Sequence, residues 1–165
     1  MDSQRILALD VGDKRIGLAI TDPLGLTAQP LFTLHRATLR ADLKAIARFI
    51  RQHKVTTVVV GNPLHADGTP SAQAAKAQAF AKALEAEHPG LAHHLLDERL
   101  TTREAHELLD MAGGAPQSAG PTSRIGRKEM IDQIAATLLL ESFLSMQSGP
   151  SLLPNPDHGG GGDAS

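Results

Sequence analysis

The chain contains no cysteine, which removes disulfides, thiolate zinc sites and a cysteine nucleophile together and is consistent with a reducing compartment. It has no tyrosine or tryptophan and only four phenylalanines, a composition that argues against an aromatic base-stacking platform of the RNA-recognition kind. No apolar run approaches the roughly 20 residues of a membrane span, so no membrane association is expected. Met1-Asp2-Ser3-Gln4 passes directly into a strand-like run, so no signal peptide is expected either, and the expected location is cytoplasmic. Positive charge is not in excess: the formal net charge is -2, and any binding of nucleic acid has to rest on local patches. What is present, 165 residues of which 41% are apolar, suits one domain with a sizeable core and is too short for two ordinary ones.

Arg5 to Val11 is a short apolar run without alternation, the pattern of a strand covered on both faces. Gly12-Asp13-Lys14 is a turn signal, and Arg15 to Thr21 reads as a second strand joined by an antiparallel hairpin. A third strand is expected from Leu31 to His35, after Pro30. From Leu39 to His53 the period becomes helical, with Leu39, Leu43, Ile46 and Ile50 on one apolar stripe. Thr56 to Gly61 is a β-branched strand closed by Gly61-Asn62-Pro63. Ser71 caps an alanine-rich helix running to about Glu87. Ala92 to Leu96 reads as a further strand, and Thr101-x-x-Glu104 as a capping box opening a helix to about Ala112. Gly113 to Ser123 has loop composition, and Arg127 to Ser145 reads as a final helix. These elements predict an α/β domain over residues 1–147, a mixed five-stranded sheet with helices on both faces, and a disordered Gly-rich tail over 148–165.

Asp10 ends the first strand, and in open α/β sheets sites form outside the carboxyl ends of strands. It either caps the turn at Gly12 or serves as a ligand. Glu98 follows the end of the Ala92–Leu96 strand; if that strand runs parallel beside the first, both carboxylates project from one rim. The plainer reading makes Asp97 and Glu98 loop acids preceding a helix N-terminus, where negative charge is favourable. Asp132 is the most informative. On a helix of 100° per residue, Ala135, Ala136, Leu139 and Phe143 fall within about 60° of it, so it heads a face expected to pack on the sheet. A buried carboxylate needs a partner. Lys128, four residues earlier, could supply one, or Asp132 could join Asp10 and Glu98 around a metal. Three carboxylates suit a hard divalent cation, Mg2+ or Mn2+, of the kind that assists phosphodiester cleavage. The eight histidines show no convincing zinc spacing, and His93-His94 reads as a strand-edge pair.

Basic residues flank all three acids: Lys14 and Arg15 near Asp10, Arg99 and Arg103 after Glu98, and Arg124, Arg127 and Lys128 before Asp132. Such groups suit phosphate contacts. Arg36, Arg40, Lys44, Arg48 and Arg51 form a further ridge along the first helix, of a sort more often found as a solvated face.

Four blocks carry a resemblance. Leu9 to Asp22 (L-D-V-G-D-K-R-I-G-L-A-I-T-D), Val59 to Thr69, Asp97 to Thr102 (D-E-R-L-T-T) and Lys128 to Ala136 (K-E-M-I-D-Q-I-A-A) resemble the YqgF family in order and spacing, from about Arg5 to Phe143. That bacterial group is described as Holliday junction resolvase-like proteins and pre-16S rRNA nucleases. The resemblance implies a ribonuclease H-like fold, a cytoplasmic divalent-metal nuclease in ribosome biogenesis, and catalytic, metal-binding roles for Asp10, Glu98 and Asp132. It also implies support or substrate contacts for Lys14, Arg15, Arg99, Thr101 and Thr102, to which Arg127 and Lys128 are added by position. The expected partners are pre-rRNA or branched DNA, with ribosomal particles as a further possibility. Resolution of four-way DNA junctions and a non-catalytic nucleic-acid-binding module remain the alternatives. Paired cuts on a junction would require a two-fold dimer. No heptad or dimer stripe is visible, which fits a monomer or weak homodimer.

Overall fold

A computed structural model of the chain describes residues 4–65, 67–98 and 126–148. Strand β1 (Arg5–Val11) and strand β2 (Arg15–Thr21) form the expected antiparallel hairpin, in register from Leu7 opposite Ile20 to Val11 opposite Ile16. The amide of Gly12 donates to the carbonyl of Arg15 at 2.9 Å and closes the turn. Strand β3 (Ala28–His35) pairs antiparallel with the other side of β2. It begins at Ala28 rather than Leu31, because Pro30 lies inside the strand instead of preceding it. An edge strand with a register shift, here between Leu18 and Ala19 of its partner, tolerates a missing donor.

Helix α1 (Leu39–His53) starts where Thr38 accepts a hydrogen bond from the Ala41 amide, and ends at Lys54 in the left-handed conformation. Strand β4 (Val55–Asn62) then runs parallel to β1. The strand ends within the expected Gly61-Asn62-Pro63 closure, one residue beyond Gly61. Helix α2 (Ala72–Glu87) is capped by Ser71, as expected, and strand β5 (Ala92–Asp97) runs parallel to β4. Helix α3 (Arg127–Ser148) completes the described fold and runs past Ser145. The sheet order is β3-β2-β1-β4-β5, mixed in direction. The helix expected over Thr101–Ala112, the loop over Gly113–Ser123 and the tail beyond Ser148 lie outside the described residues.

The two sheet faces are divided by strand parity. Leu7, Leu9, Ile16, Leu18, Val58 and Val60 pack under α1 and α2. Ile6, Ala8, Ala19, Val59 and Leu96 pack under α3, against Ala136, Leu139, Leu140 and Phe143. Helices therefore cover both faces, and Asp10, two residues beyond Ala8, belongs to the α3 face.

Within α1 the buried stripe is Leu43, Ile46 and Ile50, whereas Leu39 is 49% exposed. Its place is taken by a carboxylate, Asp42, which is 2% exposed. Burial without partners would be costly, and Asp42 has two: Arg36 Nε and the Ala37 amide, each at 3.0 Å. Arg36 also donates to the Gly12 carbonyl at 3.0 Å and lies over the Phe80 ring, 5.3 Å from its centroid. This network ties the β1–β2 turn to α1 and α2.

Among the described glycines, Gly17 leaves the least room for a side chain. A Cβ placed there would stand 2.0 Å from the carbonyl oxygen of Asp132, so α3 rests its backbone on β2. Helix and strand would have to separate to admit even a methyl group. Gly17→Ala is expected to lower stability by about 1–3 kcal/mol or more in chemical denaturation. Gly90→Ala, with nothing within 4 Å of the added atom, is the control expected to change little.

Candidate active site

β1, β4 and β5 are mutually parallel, so their carboxyl ends share one rim. Asp10 stands on that rim, directly opposite Gly17 of β2 and, one step beyond the Leu9–Val60 pair, beside Gly61 of β4. The strand on each side of it thus presents no side chain toward α3. Into the space over Gly17 comes Asp132, and into the space over Gly61 comes Glu98. A Cβ at Gly61 would meet Glu98 Cδ and Leu139 Cδ2 at 3.2 Å each. β1 and β5 are not neighbours, since β4 lies between them, and the bare backbone of Gly61 lets Glu98 approach Asp10 across it.

Burial and mutual charge act on Asp10 and Glu98 together. Asp10 is raised from 3.8 to about 6, first by burial and then by the charge of Asp132. Glu98 is raised from 4.5 to about 7, by burial, then by Asp10 and Asp97. The turn at Gly12 is closed by backbone rather than by Asp10, whereas the helix expected to follow Asp97 and Glu98 lies outside the described residues.

Asp132 has a partner, but not Lys128. Arg15, two residues before Gly17 on the same strand face, donates from Nε to Asp132 Oδ2 at 2.5 Å. Both side chains keep some exposure, at 25% and 21%, so water still reaches the pair. The start of α3 is anchored to β3 as well. Thr33, opposite Gly17 and buried, donates its hydroxyl to the Glu129 carbonyl at 2.7 Å, and His35 Nε2 lies 3.2 Å from Glu129 Oε2. Gly17, Gly61 and Thr33 thus position the acids; sequence reading named Gly61 only as part of a strand-closing turn and did not single out Gly17 or Thr33. The available signal was a glycine interrupting each of two strand patterns.

Of the other expected site residues, Lys14 lies exposed in the β1–β2 turn, and Arg127 and Lys128 are exposed at the start of α3. Arg99, Thr101 and Thr102 lie outside the described residues. In the helical ridge, Arg36 is drawn into the Asp42 network; Arg40, Lys44, Arg48 and Arg51 remain exposed on the sheet face away from the carboxylates. The histidine pair is structural: His93 Nε2 donates to the His88 carbonyl at 2.8 Å, and His94 packs on Phe143.

Among the described residues, no three His, Asp or Glu side chains are gathered closely enough to hold a metal ion together. The donor chemistry nevertheless fits a hard divalent cation. Asp10 and Glu98 offer only oxygen, face each other across Gly61, and resist ionising together without a countercharge. Asp132 is already balanced by Arg15 and would join them only as that ion pair loosens.

Comparison with known proteins bears on the family and the fold. The chain is 42% identical over 144 residues to a protein of Carboxydothermus hydrogenoformans named "Putative pre-16S rRNA nuclease", covering 87% of this chain and 98% of that one. It is 44% identical over 140 residues to a Moorella thermoacetica protein of the same name, covering 85% and 94%. Among solved structures, T. thermophilus RuvC in complex with Holliday junction substrate superposes with a TM-score of 0.57 at 13% identity, over 88% of this chain and 97% of that one. That likeness establishes the ribonuclease H-like fold expected from the sequence. No described helix is long and apolar enough to cross a membrane. The family described as RuvX: Holliday junction resolvase matches residues 4–146, and the chain belongs to it.

Proposed function

We propose that this chain is a divalent-metal-dependent phosphodiester hydrolase that processes the 5′ end of pre-16S rRNA, with Asp10, Glu98 and Asp132 as its catalytic acids. The observation that carries the reading is the convergence of Asp132 and Glu98 on Asp10 over two side-chain-free positions at the strand rim. The substrate rests on the names of the relatives. Under this reading the protein works in the cytoplasm, where the transcript and assembling ribosomal particles are, as a monomer or weak homodimer.

Asp10 and Glu98 would hold Mg2+ or Mn2+, with Asp132 as the third acid. Such an ion supplies a water acidic enough to attack at neutral pH and neutralises charge on the phosphoryl oxygens. The chain's own residues do the rest. Arg15 restrains Asp132 and keeps its negative charge from adding fully to that of Asp10. Lys14, Arg127 and Lys128 stand at the same end of the fold, where they serve phosphates on either side of the scissile bond. Arg99, Thr101 and Thr102 retain the substrate roles implied by their motif.

A second reading, cleavage of four-way DNA junctions, is favoured by the description of the matched family. It demands two sites held in two-fold symmetry. Cleavage of a pre-rRNA 5′ fragment and of a four-way junction, each with Mg2+, Mn2+ or EDTA, separates the readings. Metal-dependent cutting of the RNA is expected. Even partners of metal ligands are worth about 10–100-fold, so Asp10→Asn should lower the rate by roughly 100-fold or more. Cutting of the junction alone would transfer the activity to DNA, and cutting of neither would refute the hydrolase.

The raised carboxylates also fix a pH dependence of stability. Each binds its proton more tightly folded than unfolded, so their contribution is most favourable below about pH 4 and is lost as pH rises through about 6 and 7. Asp13 and Asp22 are held below the ordinary range, by Lys76 and by turn amides, and act only on the acid side of that window. Metal-free protein should therefore melt at a higher temperature at pH 5 than at pH 7.5. Asp10→Asn should recover at most about 3 kcal/mol at the higher pH and flatten the profile. Added Mn2+ should stabilise the native chain at pH 7.5 and much less at pH 5, where protons compete for the carboxylates.

A further inference from the structure

The four phenylalanines are not spent alike. Phe80 and Phe143 are core residues, 2% and 7% exposed. The other two meet at the surface. Phe32 is 44% exposed, and its ring centroid lies 5.4 Å from that of Phe49, which stacks in turn on His53 at 6.3 Å with the rings 9° apart. With Leu34, Arg48 and Gln52 they line a groove of about 340 Å³ between the edge strand β3 and α1. Phe32 pairs with Leu18 and shares its sheet face, so the groove lies on the side opposite the carboxylates.

Beside the groove, α1 presents Arg40, Lys44, Arg48 and Arg51, all exposed, at spacings of four, four and three residues. They extend along about 16 Å of helix at 1.5 Å per residue. None of the four forms an ion pair with a described residue. The one acid in the helix, Asp42, is buried and taken by Arg36. Like charges at this spacing repel, so the row works against the helix that carries it. One exposed ring in contact with a half-buried one, flanked by cations without ion pairs to described residues, in a chain of net charge -2, is complementary to a polyanion that also offers flat apolar faces. A single-stranded polynucleotide has both features, whereas a duplex keeps its bases stacked inside.

We propose that the groove between β3 and α1 docks single-stranded polynucleotide, with a base against Phe32 and Phe49 and phosphates on Lys44, Arg48 and Arg51. The choice of ligand deepens the nucleic-acid reading above; the geometry stands apart from it. Leu18 faces Phe32 on one side and Leu9 on the other, so the groove is level with the residue preceding Asp10, two strands or roughly 10 Å across the sheet. A strand turning round the edge of β3 would reach both sites. The groove would hold substrate on one side of the sheet while the rim acts on it from the other. Composition alone argued against an aromatic platform; the fold assembles a small one from the exposed ring of Phe32 and the half-buried ring of Phe49, which packs on the core from its other side.

The test is binding of a short fluorescent oligouridylate to the full chain, followed by anisotropy in EDTA so that no cleavage intervenes. Phe32→Leu keeps an apolar side chain and removes the ring; it should weaken binding about tenfold. Arg48→Gln should reduce the steepness of the salt dependence by about 0.7. Lys82→Gln, an exposed cation on α2, should bind as the native chain does, and circular dichroism melting should show all three folded. Native affinity in both groove variants would overturn the proposal. So would unchanged RNA binding with altered sedimentation in Phe32→Leu, which would make the groove a contact between copies of this chain. If the chain cuts nothing yet the groove variants lose binding, the docking site stands and the hydrolase falls. If the groove variants bind and cut pre-rRNA normally, the docking site falls alone.

Discussion

The arrangement depends on a backbone contact between α3 and β2 at a position without a side chain. Gly17 lets the carbonyl of Asp132 lie where any Cβ would collide, and this sets the depth of α3 over the sheet. From that depth follow the packing of Ala136, Leu139 and Phe143 on Ile6, Ala8 and Val59, the reach of Arg15 to Asp132, and the hydroxyl bond from Thr33 to Glu129. Gly61 does the equivalent on the other side of Asp10. A helix one methyl group farther out would still bury an apolar face, but Asp132 would act more weakly on Asp10.

The same closeness makes the rim electrostatically strained. Asp10 and Glu98 are desolvated and repel each other, while Asp132 is held by Arg15. Such an arrangement lowers the stability of the folded chain at neutral pH, and it is the kind of local cost that functional sites impose on a fold. Elsewhere the chain avoids this cost. Asp42 is more deeply buried than either, yet it is matched by Arg36 and a backbone amide. The contrast between an acid matched by its own cation and acids raised by one another's charge separates a structural carboxylate from a candidate site.

Most of the fold was legible in the sequence. Periodicity placed α1 and α2 at their observed bounds, because Thr38–Ala41 and Ser71–Ala74 caps coincide with changes of period. β3 was clipped because Pro30 reads as a boundary locally, and only the sheet order shows that it lies on an edge. Asp132 was legible because an acid at the head of an apolar helical stripe is anomalous. Its partner was not, since Arg15 lies across a tertiary contact while Lys128 is one turn away on the same helix. Pairing of β5 with β4 rather than β1, and the glycines that make the intervening strand passable, are likewise properties of the assembled sheet. The apolar stripe of α1 could be read; that its first leucine is exposed and an aspartate buried beside it could not.

The most direct measurement is a titration of Mn2+ into isotope-labelled protein, following paramagnetic broadening of the backbone amides. If the rim binds a divalent cation as described, broadening should centre on Asp10, Gly17, Gly61, Glu98 and Asp132 and should fall off along α1 toward His53, which lies beside Arg5 at the other end of β1. Asp10→Asn should abolish it. Broadening centred elsewhere, or persisting unchanged in that variant, would contradict the assignment of these acids to a metal-dependent active site.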